Sequence, residues 1–236
     1  MLWYKGWLET RFRVLALLGC VLLSMGIAAR SINSAPPSPQ AMERRLNSSL
    51  LPLAFYLSII PVILAGAGIK TQAPLQTRKG IHGSMYFTLS LPVTRVRLLL
   101  TRAGLGMLEA FGSIAVLCCV AWIIFPILRS HVTRSDLFAY WVTTSICASA
   151  FYCLSVLLAT FLDDLWQIWG SMIVIGLLFW LSNAAPVPPS LNIFRAMGEA
   201  SPLFTHTIPW VQMGIALGVG AVLFGIAAWV VQTHEY

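Results

Sequence analysis

Apolar residues fall in six long blocks along this chain, approximately Val14–Ala29, Leu50–Ile69, Ala103–Ile127, Leu137–Phe161, Leu165–Leu181 and Gln212–Val231. Within each block the polar positions are too sparse to define a wet face, as expected of a helix surrounded by protein and lipid rather than by water. A bilayer is crossed by roughly 20 apolar residues in helical conformation. The pattern therefore predicts an all-α integral membrane protein with six transmembrane helices, both termini on one side, and a single domain over residues 1–236.

Between and before the blocks the pattern changes. In residues 1–13, Trp3, Trp7 and Leu8 form a stripe that continues to Phe12, while Lys5, Glu9 and Arg13 repeat on another face. Such a segment predicts an interfacial helix, its indoles at the level of the lipid headgroups. The apolar core that follows, with the small residues Gly26, Ile27 and Ala28 behind it, imitates a signal peptide. The long leader carrying Glu9 and several aromatics favours a retained first span instead.

Residues 70–102 form the most basic connection. Pro74 can open a helix and Pro92 ends it. Between them Ile81, Met85 and Leu89 recur every four residues beside Arg78, Lys79 and His82. Thr94 can then cap a basic stem carrying Arg95, Arg97 and Arg102 into the third span. The turn at Asp163 and Asp164 is only a few residues long. Residues 182–211 hold Pro186, Pro188, Pro189, Pro202 and Pro209 around the apolar piece Leu191–Met197. This stretch is too broken to span and too apolar to float, so a pair of short re-entrant helices is expected. The first outer loop is broken by Pro36, Pro37 and Pro39, and its Asn47-Ser48-Ser49 triplet carries no weight.

Composition strengthens this picture. Hydrophobic residues make up 58% of the 236 and charged residues only 10%, against about 25% charged in an average soluble domain. The net charge of +7 belongs to loops that flank spans, where it reports orientation rather than nucleic acid. With the N-terminus inside, Lys5, Arg11, Arg13, Lys70, Arg78, Lys79, Arg95, Arg97 and Arg102 face the cytoplasm. Arg30, Arg44, Arg45, Arg129, Arg134 and Arg195 then face out. The bias points to both termini being cytoplasmic.

Candidate chemistry is sparse. No catalytic set, cofactor site or metal site is expected. The histidines are scattered, and the five cysteines lie in apolar blocks without the spacing of a zinc site. Gly66-Ala67-Gly68-Ile69-Lys70-Thr71 echoes a nucleotide-binding loop but lacks a glycine immediately before the lysine, and it closes a span rather than following a soluble strand. Polar residues show no convergence at membrane depth. Glu109, about two turns inside the third block, is a candidate gate or helix lock, or a structural acid near the interface; Arg102 shares its face about 10 Å away, so a water-bridged or cross-helix partner is expected. Gly214, Gly218, Ala221 and Gly225 share one face of the last block and form a candidate close-packing surface.

Gly83-Ser84-Met85-Tyr86-Phe87-Thr88-Leu89-Ser90-Leu91-Pro92-Val93-Thr94-Arg95, followed by Leu98–Arg102 and Glu109, resembles the permease subunits of ABC-2 type exporters. Lys5–Arg13 is similar to the interfacial helix of that family. The resemblance implies a permease that pairs with a second permease subunit and with two ABC ATPase subunits. ATP and Mg would sit on those partners and none on this chain. It further implies that the helix between spans two and three is the ATPase-coupling element, with Arg78, Lys79, Ile81, Met85, Leu89, Pro92 and Arg95 as its working residues. The family often carries a Glu just before this helix, whereas Arg78 and Lys79 stand alone here; an acidic surface on the partner would complement them. Rival readings are a secondary transporter, a membrane-embedded enzyme and a non-transporting sensor or assembly factor.

Overall fold

The computed structural model describes residues 14–16, 18–19, 23, 57–65, 95–124, 132–162, 164–184, 188–198 and 200–233, and every regular element among them is helical. Beyond the helical segment 57–65 the order is α1 (Arg95–Ile124), α2 (Arg134–Phe161), α3 (Asp164–Ala184), a 3-10 turn (Pro189–Leu191), α4 (Ile193–Met197), α5 (Pro202–Thr205) and α6 (Trp210–Thr233). Four stretches are long and apolar enough to cross a membrane: Leu99–Ile124, Arg134–Phe161, Trp166–Ala184 and Trp210–Thr233. They correspond to the last four blocks of the sequence and mark a multi-pass membrane protein. Most of the first two blocks, and the proposed interfacial helix, lie outside the described residues.

Helix α2 is the centre of the bundle. Helices α1, α3, α4, α5 and α6 all pack on it. The reason is its side-chain size: Cys147, Ala148, Ala150 and Ala159 are small and buried, and small residues let helix backbones approach. At the contact with α6, a methyl group added to Gly220 would stand 3.7 Å from Ala150 Cα and from Cys153 Sγ, ordinary van der Waals distance. Thr143 on α2 lies beside Met213 on α6, hydroxyl to sulfur 3.7 Å. The paired positions advance together, so α2 and α6 run parallel. By contrast, Trp141 Nε1 donates to the Phe111 carbonyl and the Tyr152 hydroxyl donates to that of Ala103, so α1 runs antiparallel to α2. The tight turn at Leu162 sends α3 back as well. One end of the bundle thus gathers the start of α1, the α2–α3 turn and the end of α6. The other end gathers the start of α2 and residues 188–209.

The start of α2 is closed by a capping box. Asp136 N–H donates to Thr133 Oγ1 at 3.3 Å, and Thr133 N–H donates to Asp136 Oδ2 at 3.2 Å. Asp136 also sets a negative charge against the positive end of the helix dipole. Its Oδ2 lies 2.9 Å from Nδ1 of His206, which carries a φ of 51° in the left-handed region and terminates α5. Thr133→Ala removes the cap and is expected to cost about 1 kcal/mol, read as a lower unfolding temperature in detergent. No change in that temperature would show that α2 starts equally well without the cap.

Residues 188–209 contain two short helices, as the broken apolar pattern predicts. Asn192 caps α4, its Oδ1 accepting from the Arg195 N–H at 3.2 Å, and Pro202 opens α5 at a first-turn position. The helix before them extends to Ala184, a few residues further than the sequence predicts. The short helices are anchored inward: Phe194, Ala196, Met197 and Leu203 are buried. Phe194 stacks on Phe151 of α2 at 5.1 Å and meets Phe179 of α3 edge-on at 5.3 Å. The Tyr140 hydroxyl donates to the Met197 carbonyl at 3.3 Å.

Candidate functional site: a buried polar seam

About 10 Å from the α2–α3 turn, at a rise of 1.5 Å per residue, polar groups from four helical elements meet inside the apolar bundle. Ser155 of α2 is their hub. Its hydroxyl donates to the Val62 carbonyl of segment 57–65 at 3.3 Å, lies 3.0 Å from Ser171 Oγ of α3, and accepts from Gln167 Nε2 at 2.7 Å. Ser155, Ser171 and Gln167 are each 0% exposed. One hydroxyl thus uses its proton on a backbone carbonyl and its lone pairs on α3, a fully used set of bonds. Among the described residues the amide oxygen of Gln167 has no partner.

One turn earlier on the same face of α2, the buried Tyr152 hydroxyl donates to the Ala103 carbonyl of α1 at 2.8 Å. Gly106 makes room for it. A Cβ at that position would lie 2.5 Å from the Tyr152 oxygen and 3.4 Å from the Leu64 carbonyl oxygen. Segment 57–65, α1 and α2 therefore meet at a point where only a hydrogen atom fits. Glu109 is one turn further along α1, buried, and within electrostatic reach of the Tyr152 phenol. Its backbone carbonyl accepts from Ser113 Oγ at 2.8 Å.

The other residues singled out by sequence are dispersed. Arg102 is half-buried on α1, two turns before Glu109. Arg95 is the first residue of α1. Arg78, Lys79, Ile81, Met85, Leu89 and Pro92 lie outside the described residues, as do Trp3, Trp7 and Phe12. Gly214, Gly218, Ala221 and Gly225 are exposed on α6, and among the described residues a Cβ at any of the three glycines would meet nothing within 4 Å. The stripe that α6 turns toward α2 is a different one, holding Met213, Ala216, Gly220 and Ala227. Cys118, Cys147 and Cys153 are buried free thiols, and Cys119 is exposed.

The sequence expectation of no polar convergence at membrane depth is corrected by the seam. Tyr152, Ser155, Gln167, Ser171 and Gly106 were not among the candidate residues. The visible signal was the density of hydroxyl groups in one apolar block, where Thr143, Thr144, Ser145, Ser149, Ser155 and Thr160 all fall in α2. Among the described residues, no three His, Cys, Asp or Glu side chains come together as a metal site would require. The seam is a set of neutral donors and acceptors with one neighbouring carboxyl group. It can hold helices in register or receive a hydrogen-bond donor; it has no nucleophile paired with a base. Comparison with protein-family models, curated proteins and solved structures returns no match.

Proposed function

We propose that this chain is the transmembrane permease subunit of an ATP-driven ABC exporter, working as a dimer with a second permease subunit and with two separate ATP-binding subunits. The observation that carries the reading is the Gly83–Arg95 element with its Leu-Pro-Val-Thr-Arg close, set between apolar blocks two and three of a multi-pass helical chain. In this reading the start of α1, the α2–α3 turn and both termini are cytoplasmic, in a bacterial inner membrane. Residues 188–209 lie at the outer leaflet, with Phe194 as the wedge that seats the short helices between α2 and α3. ATP binding closes the partner subunits, the helix at about 75–91 passes that movement to the basic stem, and the permease pair opens outward. The chain itself hydrolyses nothing; ATP and Mg belong to the partner.

The test is capture of the ATPase. Met85→Asp places a carboxylate in the apolar stripe of the coupling helix. Loss of a buried side chain's contacts costs about 2–5 kcal/mol, and a stranded charge adds to it. The variant is expected to insert normally while losing co-purification of an ATPase and substrate-stimulated ATP hydrolysis. Unchanged retention and unchanged hydrolysis would remove the coupling role. Orientation has its own check. Single cysteines at Ser38 and Ser190, in a background without native cysteines, should react with an impermeant maleimide in intact cells, and one at Thr77 should not. The reverse pattern would invert the topology.

A second reading, a secondary transporter, draws on the seam: buried neutral oxygens and a nearby carboxyl group are the kind of site such proteins place between helices. A purified chain that transports in proteoliposomes under an ion gradient, with no ATPase present, would favour it.

A further inference from the structure

Tyr152 and Ser155 lie three residues apart on one face of α2, and each hydroxyl is spent on a backbone carbonyl of a different neighbour. The neighbours are the two helical stems that enter and leave residues 66–94: segment 57–65 through Val62, and α1 through Ala103. The stems also touch each other, since the Leu64 carbonyl oxygen faces Gly106. At the same Ser155 oxygen, Gln167 and Ser171 add a tie to α3.

We propose that α2 is a clasp that holds the two stems flanking residues 66–94 in one register, so that the stems move together with α2 or separate only when both hydroxyl bonds release. Three features carry this. First, the acceptors are main-chain carbonyls, so the bonds fix the position of the helix itself rather than of one rotatable side chain. Second, the site is closed to bulk solvent: Tyr152 is 2% exposed and Ser155 0%, so a broken bond is not readily replaced. Third, the clearance at Gly106 leaves no slack, so the Tyr152 ring cannot follow a sliding α1 without losing Ala103. The clasp stands on geometry alone. Its use, passing movement of the loop to α2 and α3, rests on the exporter reading.

The two bonds could instead be independent anchors, and the experiment separates these cases. Tyr152→Phe and Ser155→Ala each remove one oxygen and leave the packing otherwise intact. Each full-length variant is placed in lipid nanodiscs, and amide hydrogen exchange is followed by mass spectrometry over residues 57–65, 99–106 and 210–233. A clasp predicts that either variant alone speeds exchange in both stems, by roughly three- to tenfold for one lost neutral hydrogen bond, while α6 keeps its protection. Faster exchange only in the stem that lost its own bond would overturn the clasp in favour of independent anchors. No change in either stem, or an equal rise that includes α6, would overturn it as well. ATPase co-purification is scored in parallel. A clasp that behaves as described in a chain that captures no ATPase would leave the clasp standing and remove the exporter reading.

Discussion

Gly106→Ala should sharply destabilise this protein, whereas Gly112→Ala on the same helix should not. In an open helical position, alanine is favoured over glycine by about 1 kcal/mol. Gly112 is such a position, with nothing within 4 Å of an added Cβ. At Gly106 the added carbon would stand 2.5 Å from the Tyr152 oxygen, far inside contact distance. Tyr152 is buried and its hydroxyl is engaged, so it cannot swing aside freely. Overpacking a core site costs about 1–3 kcal/mol. If the ring does move, the hydroxyl is orphaned in an apolar interior, a further cost of roughly 1–3 kcal/mol. Valine at position 106 should be worse than alanine. Unfolding temperatures of the two alanine variants, measured side by side in the same detergent, make the comparison. Equal stability would mean that α1 and α2 stand further apart than the structure has them.

Phe194→Ala should free residues 188–209 while leaving α1, α2 and α6 assembled. Phe194 is 5% exposed and holds two aromatic neighbours at once, Phe151 stacked at 26° and Phe179 edge-on at 84°. Deleting a buried phenyl ring costs about 3–5 kcal/mol, and aromatic pairs of this geometry add roughly 0.5–1.5 kcal/mol each. Helices of five and four residues cannot hold themselves without such anchors. The expected signature is a large rise in amide exchange across residues 193–205 with the exchange of α2 unchanged. Persistent protection of the short helices would show that Met197, Leu203 and the Tyr140 bond suffice to seat them.

The helices of the bundle could be read in the chain because lipid removes the usual ambiguity. A block with no wet face and enough length has one stable conformation in a bilayer, and α1, α2, α3 and α6 follow the last four blocks closely. The short α2–α3 connection and the broken proline-rich stretch before α6 were equally legible, since an acidic break and a cluster of prolines are local signals in sequence. The seam was not. Ser155 owes its meaning to Val62, Gln167 and Ser171, which lie at unrelated distances along the chain. One of its partners is a main-chain carbonyl, present at every residue and therefore silent in sequence. Gly106 shows the same limit from the other side. Spacing drew attention to Gly214, Gly218 and Gly225, whose face the described residues leave uncovered, whereas Gly106, two residues after Gly104, answers to a tyrosine far along the chain.

On α6, Trp210 and Trp229 are the exposed indoles at either end, 70% and 64% exposed. They stand about 28 Å apart along the axis at 1.5 Å per residue. Indoles settle at the boundary between hydrocarbon and headgroups, so the pair acts as a ruler for bilayer thickness. Helix α2, with 28 residues, is about 42 Å long and overshoots that ruler. Its contact between Thr143 and Met213 puts the excess at the end that carries Asp136 and the short helices. A hydrocarbon core of about 28 Å matches the spacing of these two indoles on α6. In a thicker membrane α6 would have to stand upright or draw lipid inward, while the first turn of α2, which carries Asp136 beside His206, would be drawn toward the hydrocarbon. Acyl-chain length is thus expected to act first where α2 overshoots, at the end that carries Asp136 and His206.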